Sequence, residues 1–264
     1  MSPLVDVGPG LAVALVLLVA LACTLAAYGQ LCLQRDVVVA SLRALVQLGL
    51  VALVIAAVVR SLWLSALFVL AMFLVASATA GRRLTRSRCG WWCAVPVGAA
   101  ALPITSALVL LGVVPAEGVA VVPVAGILIG GAMAGTVLAG RRGLDELHAR
   151  RGEVEAAMAL GFPDREAGLM VSRPAAAEAM LPGLDQTRTV GLVALPGTFV
   201  GTLLGGATPL QAGAVQVLVL VALLAVQAAA VVLTVELIAR GVLRRDTATA
   251  PGRVSRGRRT RRGG

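Results

Sequence analysis

Lysine is absent from this chain of 264 residues, whose 23 basic side chains are all arginine. A phosphate-binding loop of the form GxxxxGK[ST] needs a lysine on the β and γ phosphates, so the chain is not itself a P-loop ATPase. Histidine occurs once, as His148, and no serine or cysteine stands beside it to form a nucleophile and base pair. It reads as a solvated loop residue, and the chain as no enzyme, with no cofactor of its own. Charged residues are scarce at 14% and aromatics at 3%, too little polar surface for a soluble domain of this size.

The hydrophobic residues, by contrast, make up 59% of the chain, and the mean hydropathy is +0.94. A bilayer core of about 30 Å takes about 20 apolar residues of helix. Seven such runs are legible, approximately 9–32, 37–59, 62–81, 91–113, 119–140, 187–207 and 210–238. Stretches such as Leu11 to Ala22 and Val215 to Ala225 are apolar on every side, which excludes the alternating strands of a membrane barrel. The first run lacks a positive leading segment, with Asp6 its only preceding charge, so it reads as a retained helix and not a secretory signal. The fold class expected is all-α, a polytopic membrane protein. Residues 1–240 form its membrane domain and 241–264 an arginine-rich tail that is too polar to make a core.

Arginine clusters in alternate loops, at Arg35, at Arg82, Arg83, Arg86 and Arg88, from Arg141 to Arg188, and after Arg240. The loops between carry Arg60, Glu117 and no charge around Gly206. Positive loops stay in the cytoplasm, which predicts a plasma-membrane protein with its N-terminus outside and its C-terminus inside. The basic tail then faces anionic lipid; neither its charge nor the net +10 is a nucleic-acid signature.

Cys23 and Cys32 fall in the first run as packing residues. Cys89 and Cys93 flank Trp91 and Trp92 on the reducing side, and a CxxxC pair with no further ligands is a weak metal signal. The tryptophans mark the headgroup level. Arg43, about two turns inside the second run, either snorkels to the interface or pairs with Glu236 or Asp185, and Glu236 stands four residues before Arg240. Small residues at four-residue spacing, Gly126 and Gly130, Gly131 and Gly135, and Gly197, Gly201 and Gly205, predict close helix contacts and place the fifth and sixth runs at the centre. Pro123 and Pro196 are expected to break those two helices locally, with the gate near Pro196.

Between Arg141 and Asp185 the chain leaves the membrane for too long to be a mere connector. Val154, Ala157, Met158 and Leu160 form an apolar stripe, Gly161 and Pro163 end that helix, and a second runs from about Asp164 to Met180 with a bend near Pro174. On periodicity alone this segment could instead lie on the membrane surface.

Glu155-Ala-Ala, three residues, Gly161, nine residues, then Val171-x-Arg173-Pro174 resembles the EAA motif of ABC-transporter permeases, with valine for isoleucine and arginine for leucine. That resemblance implies a docking helix for a separate ATPase subunit, formed by Glu155, Ala156, Ala157 and Gly161, with Phe162, Pro163 and Pro174 beside it. Arg43-Ala-Leu-Val-Gln47, Pro123-Val-Ala-Gly126 with Gly130, Asp185, and Gly191 through Pro196-Gly197 to Gly201 are similar to the Fet-type iron-export permeases, which include the plant aluminium-tolerance permeases. Those residues become candidates for the translocation path and gate, and the resemblance implies a permease homodimer that exports a solute: iron, another metal or its complex, with a sugar conjugate or another amphiphile left open. Gly131 replaces an expected asparagine, and Thr198 and Phe199 replace methionines, which removes potential ligands and leaves the metal site unassigned. The other class of function compatible with the sequence is a secondary transporter or receptor-like membrane protein with no ATPase partner.

Overall fold

A computed structural model describes residues 8–58, 61–85 and 87–245. Asp6, Arg60, Arg86 and the arginine-rich stretch 246–264 lie outside them. The described residues form two compact units that meet in sequence at Ser61 and Leu62.

The first unit is a helix pair, α1 (Pro9–Tyr28) and α2 (Gln34–Val58). Pro9 opens α1, where its missing N–H costs nothing. The helix ends at Tyr28, short of the expected residue 32, because Gln30 and Cys32 turn the chain at φ 51° and 55°. Cys32 therefore belongs to a turn. Within α1 only Ala26 is buried, leaving an apolar exterior suited to lipid.

The second unit contains α3 (Leu62–Leu84), a 3₁₀ turn (Arg88–Cys93) leading into α4 (Ala94–Leu110), and α5 (Gly118–Ala149). After it come α6 (Arg151–Ala159), α7 (Asp164–Ala177), a short 3₁₀ turn, α8 (Leu181–Thr189), α9 (Gly197–Leu204) and α10 (Pro209–Ala239). α5 is the hub and packs on α3, α4, α7 and α10. Its buried face is built from small residues, with Ala125, Ala132 and Ala139 wholly enclosed beside Leu128, so that neighbouring backbones approach closely.

Glycine contacts fix the helix directions. A Cβ on Gly126 would lie 2.7 Å from Met72, and one on Gly140 would lie 2.7 Å from Leu84, so α5 runs parallel to α3. Gly131 lies against Leu223 and Gly143 against Ile238, so α5 is parallel to α10 as well. The tightest approach is at the α3–α4 elbow, where a Cβ on Gly81 would stand 2.5 Å from the Gly90 carbonyl. Backbone cannot yield there as a side-chain tip can. Gly81→Ala is expected to cost about 1–3 kcal/mol, read as a drop in thermal midpoint of the detergent-solubilised chain.

Among the described residues, six helices are long and apolar enough to cross a membrane: α1, α2, α3, the Arg88–Leu110 segment, α5 and α10. The expected sixth run, 187–207, is not one continuous helix. Because α5 and α10 run in the same direction, the chain between them has to return across the bundle. Gly183 in α8 lies beside Gln227, Thr198 in α9 donates to Gln216 at 2.6 Å, and Thr208 caps the start of α10. Residues 181–208 thus climb along α10 as two half-helices separated by irregular backbone at 190–196. Counting that discontinuous passage, the crossings number about the seven read from the sequence.

Two expectations about these helices are corrected. Pro123 does not interrupt α5: it sits in the second turn between buried Val122 and Ala125, and packing on both sides outweighs one lost ladder bond. The sixth run is not central either, since α9 has no buried residue and Gly197 and Gly201 meet no atom within 4 Å. The central pairing is α5 with α10, through Gly131 and Gly135.

Candidate functional site

At the common end of α5 and α10 the chain builds a compact helical head. α5 continues without a break well past residue 140, and α6 starts directly after Arg150. Arg150 donates to Glu153 at 2.7 and 2.5 Å and to Glu146 at 3.3 Å, clamping the junction. The Arg150 hydrogen bonds hold the Glu153 carboxyl below its ordinary range. On α6, Glu155 and Ala156 are exposed while Ala157 is buried, so the helix presents the glutamate and one alanine outward and turns the other inward. Arg151 pairs with Glu155 at 2.8 Å. Of the apolar stripe, Met158 and Leu160 are exposed, Leu160 by 80%, which leaves them free for a partner.

Gly161 takes φ +94°, a conformation other residues adopt only with strain, and donates its N–H to the Met158 carbonyl at 2.9 Å. Pro163 precedes α7, whose first turn carries Asp164 and Glu166 at the positive end of the helix dipole. Phe162 is exposed and lines, with Arg165, Glu166, Met170 and Arg173, a groove of about 450 Å³. Pro174 lies exposed within α7, which continues through it to Ala177.

α7 does not lie on the bilayer as a surface helix. Leu169, Ala176 and Ala179 pack on Ala139 of α5 and on Val231 and Val235 of α10, and a Cβ on Gly168 would touch the Ala239 backbone at 3.4 Å. Arg165 then grips Glu236 with both arms of its guanidinium, Nε to Oε1 at 2.5 Å and Nη2 to Oε2 at 2.8 Å. Arg240 donates to the same carboxylate at 2.6 Å. The Glu236–Arg240 pair was legible from its spacing; Arg165, 71 residues away, was not. Its role would have needed knowledge that α7 folds back on α10.

The second locus is the broken passage. Asp185 in α8 pairs with Arg188 at 3.5 Å. Gly191 turns the chain at φ +82°, a single bridge joins Val190 to Ala194, and Pro196 caps α9 ahead of exposed Gly197 and Gly201. Leu192 and Val193 at the break are 91% and 82% exposed. Within the bundle core, Ser77 Oγ, Thr136 Oγ1 and Gln227 Oε1 are buried without a hydrogen-bond partner. Pro123, Gly126 and Gly130 lie along α5, whereas Arg43 and Gln47 are exposed on α2 in the first unit. His148 is exposed near the end of α5, and Cys93 is enclosed in the core. Among the described residues, no three His, Cys, Asp or Glu side chains converge as metal ligands.

Relatives of this chain include proteins named as membrane proteins. It is similar to the UPF0014 membrane protein STAR2 of rice (Oryza sativa subsp. japonica), 34% identical over 212 residues that cover 79% of this chain and 74% of that one. It matches Protein ALUMINUM SENSITIVE 3 of Arabidopsis thaliana at 34% identity over 209 residues, 77% and 76% of the two chains. The Probable iron export permease protein FetB of Escherichia coli (strain K12) is 29% identical over 196 residues, 72% and 74% of the two. These are the relatives expected from the Arg43, Pro123 and Pro196 blocks. No solved structure matches the chain. The family described as Uncharacterised protein family (UPF0014) matches residues 10–243, nearly the whole of the described chain, and the protein is a member of it.

Proposed function

We propose that the chain is the membrane subunit of an ABC exporter in the plasma membrane, driven by a separate ATPase subunit that docks on α6. The observation that carries this reading is the Glu155–Gly161 head: an exposed short helix, ended by a glycine at φ +94°, on a support that runs through α7 to α10. Such a surface can receive a push and pass it to a membrane span. The chain has no lysine for a nucleotide site of its own, so the energy enters through the partner.

The head faces the cytoplasm, with the N-terminus outside and the C-terminus inside, in keeping with the arginines at that end. Two copies work together. Irregular backbone cannot face lipid, and the exposed break at 190–196 with the bare glycine face of α9 suits contact with a second copy. The cargo is a metal such as iron, or a metal complex, passing beside the break and leaving the cytosol, in keeping with the Escherichia coli relative named as a probable iron export permease.

Affinity purification of the full chain from its native membrane tests the assignment. It should bring down a P-loop ATPase in equal amount, with ATP hydrolysis stimulated by the permease. A chain that purifies without any P-loop ATPase, and stimulates no ATP hydrolysis, would refute it.

A further inference from the structure

At the α3–α4 elbow, apart from the docking head and the broken passage, lies a cavity of about 420 Å³. It is lined by Gly81, Arg82, Thr85, Ser87, Gly90 and Trp91 among others. The close contact of the Gly81 and Gly90 backbones fixes its floor. The Thr85 and Ser87 hydroxyls stand 2.8 Å apart on the cavity wall, the Ser87 N–H donates to Thr85 Oγ1 at 3.2 Å, and Ser87 Oγ also lies 2.8 Å from Cys89 Sγ. Arg82 is exposed, and among the described residues neither it nor Arg83 nor Arg88 has an acidic partner.

Charge here is one-sided. No Asp or Glu occurs between Asp36 and Glu117, and Asp145, brought near by the chain end, is already paired with Arg245. The C-terminus of α3 carries a partial negative charge, which Arg82 and Arg83 in its last turn more than offset. Trp91 and Trp92, 66% and 51% exposed, lie beside the cavity at the end of a candidate span, where indoles take the headgroup level. A guanidinium, two hydroxyls and an indole around a cavity of this size match the phosphate of a phospholipid headgroup.

We propose that this cavity binds a phosphate group, supplied by an anionic phospholipid of the leaflet on the α6 side, with Arg82 as the principal contact. Native mass spectrometry of the full chain, released from nanodiscs holding phosphatidylglycerol and phosphatidylcholine, tests this. Wild type should keep a phosphatidylglycerol, and Arg82→Gln should weaken its retention about tenfold or more, as expected for a lost charge-assisted hydrogen bond; Arg82→Lys should keep most of it. Trp91→Leu should weaken the lipid without affecting inorganic phosphate. If excess inorganic phosphate displaces the lipid from wild type but not from Arg82→Gln, the phosphate site stands, with soluble phosphate as a competing occupant. Equal retention by wild type and Arg82→Gln, with an unchanged thermal midpoint, overturns the proposal. So does equal retention of the two lipids by wild type, because apolar contact would then suffice.

Discussion

Glu155→Arg combined with Gly161→Arg is expected to abolish capture of the ATPase. Glu155 is exposed on α6 and Gly161 turns the chain just beyond it, so both changes fall on the surface proposed for the partner. Arginine at position 155 reverses the charge and repels Arg151, now its ion-pair partner at 2.8 Å. Arginine at position 161 must adopt φ +94°, a strain of order 1–3 kcal/mol that is relieved by shifting the end of the helix. Loss at the centre of an interface is typically about 100-fold in affinity, enough to remove the ATPase from a pull-down. Both positions are exposed, so the membrane fold should survive, and Glu155→Arg alone gives a docking defect free of backbone strain. A pull-down that retains the ATPase at wild-type yield, with hydrolysis stimulated as before, would remove the docking assignment.

Arg165→Ala should leave the ATPase bound but disconnect it from transport. Arg165 on α7 holds Glu236 on α10 by two hydrogen bonds of 2.5 and 2.8 Å, a direct polar tie between the head and a membrane span. The pair is partly open to solvent, so its contribution to stability is small; its use is geometric, since a forked contact resists rotation as a single bond does not. Removing it should lower metal transport per ATP hydrolysed about tenfold with little change in thermal midpoint. Arg165→Lys, which keeps the charge but loses the fork, should fall between the two. Unchanged transport per ATP in Arg165→Ala would assign the stroke to the apolar contacts of Leu169 and Ala176 instead.

What the sequence made legible here was local. Gly161 signalled its turn because the requirement for positive φ belongs to one residue, and α6 followed from a few neighbouring side chains. Pro196 likewise marked the break, because no neighbouring helix enclosed it. Pro123 carried the same local signal and misled, since buried neighbours on α5 held the helix through it. The glycine spacing on α9 promised a close contact within the chain, and none is there. Spacing reports that a face is small, not what meets it. Arg165 with Glu236, and the cavity at Arg82, depend on segments brought together by the bundle, beyond the reach of any local pattern.

ATP-driven metal movement in reconstituted vesicles tests the central claim most directly. The permease and its ATPase are placed in inside-out vesicles, together and separately, and ferrous iron accumulation is followed with and without ATP. Accumulation should require both proteins and hydrolysable ATP, and should vanish with Glu155→Arg. Accumulation by the permease alone, sustained by an imposed ion gradient in the absence of ATP, would contradict the account and make the chain a secondary transporter.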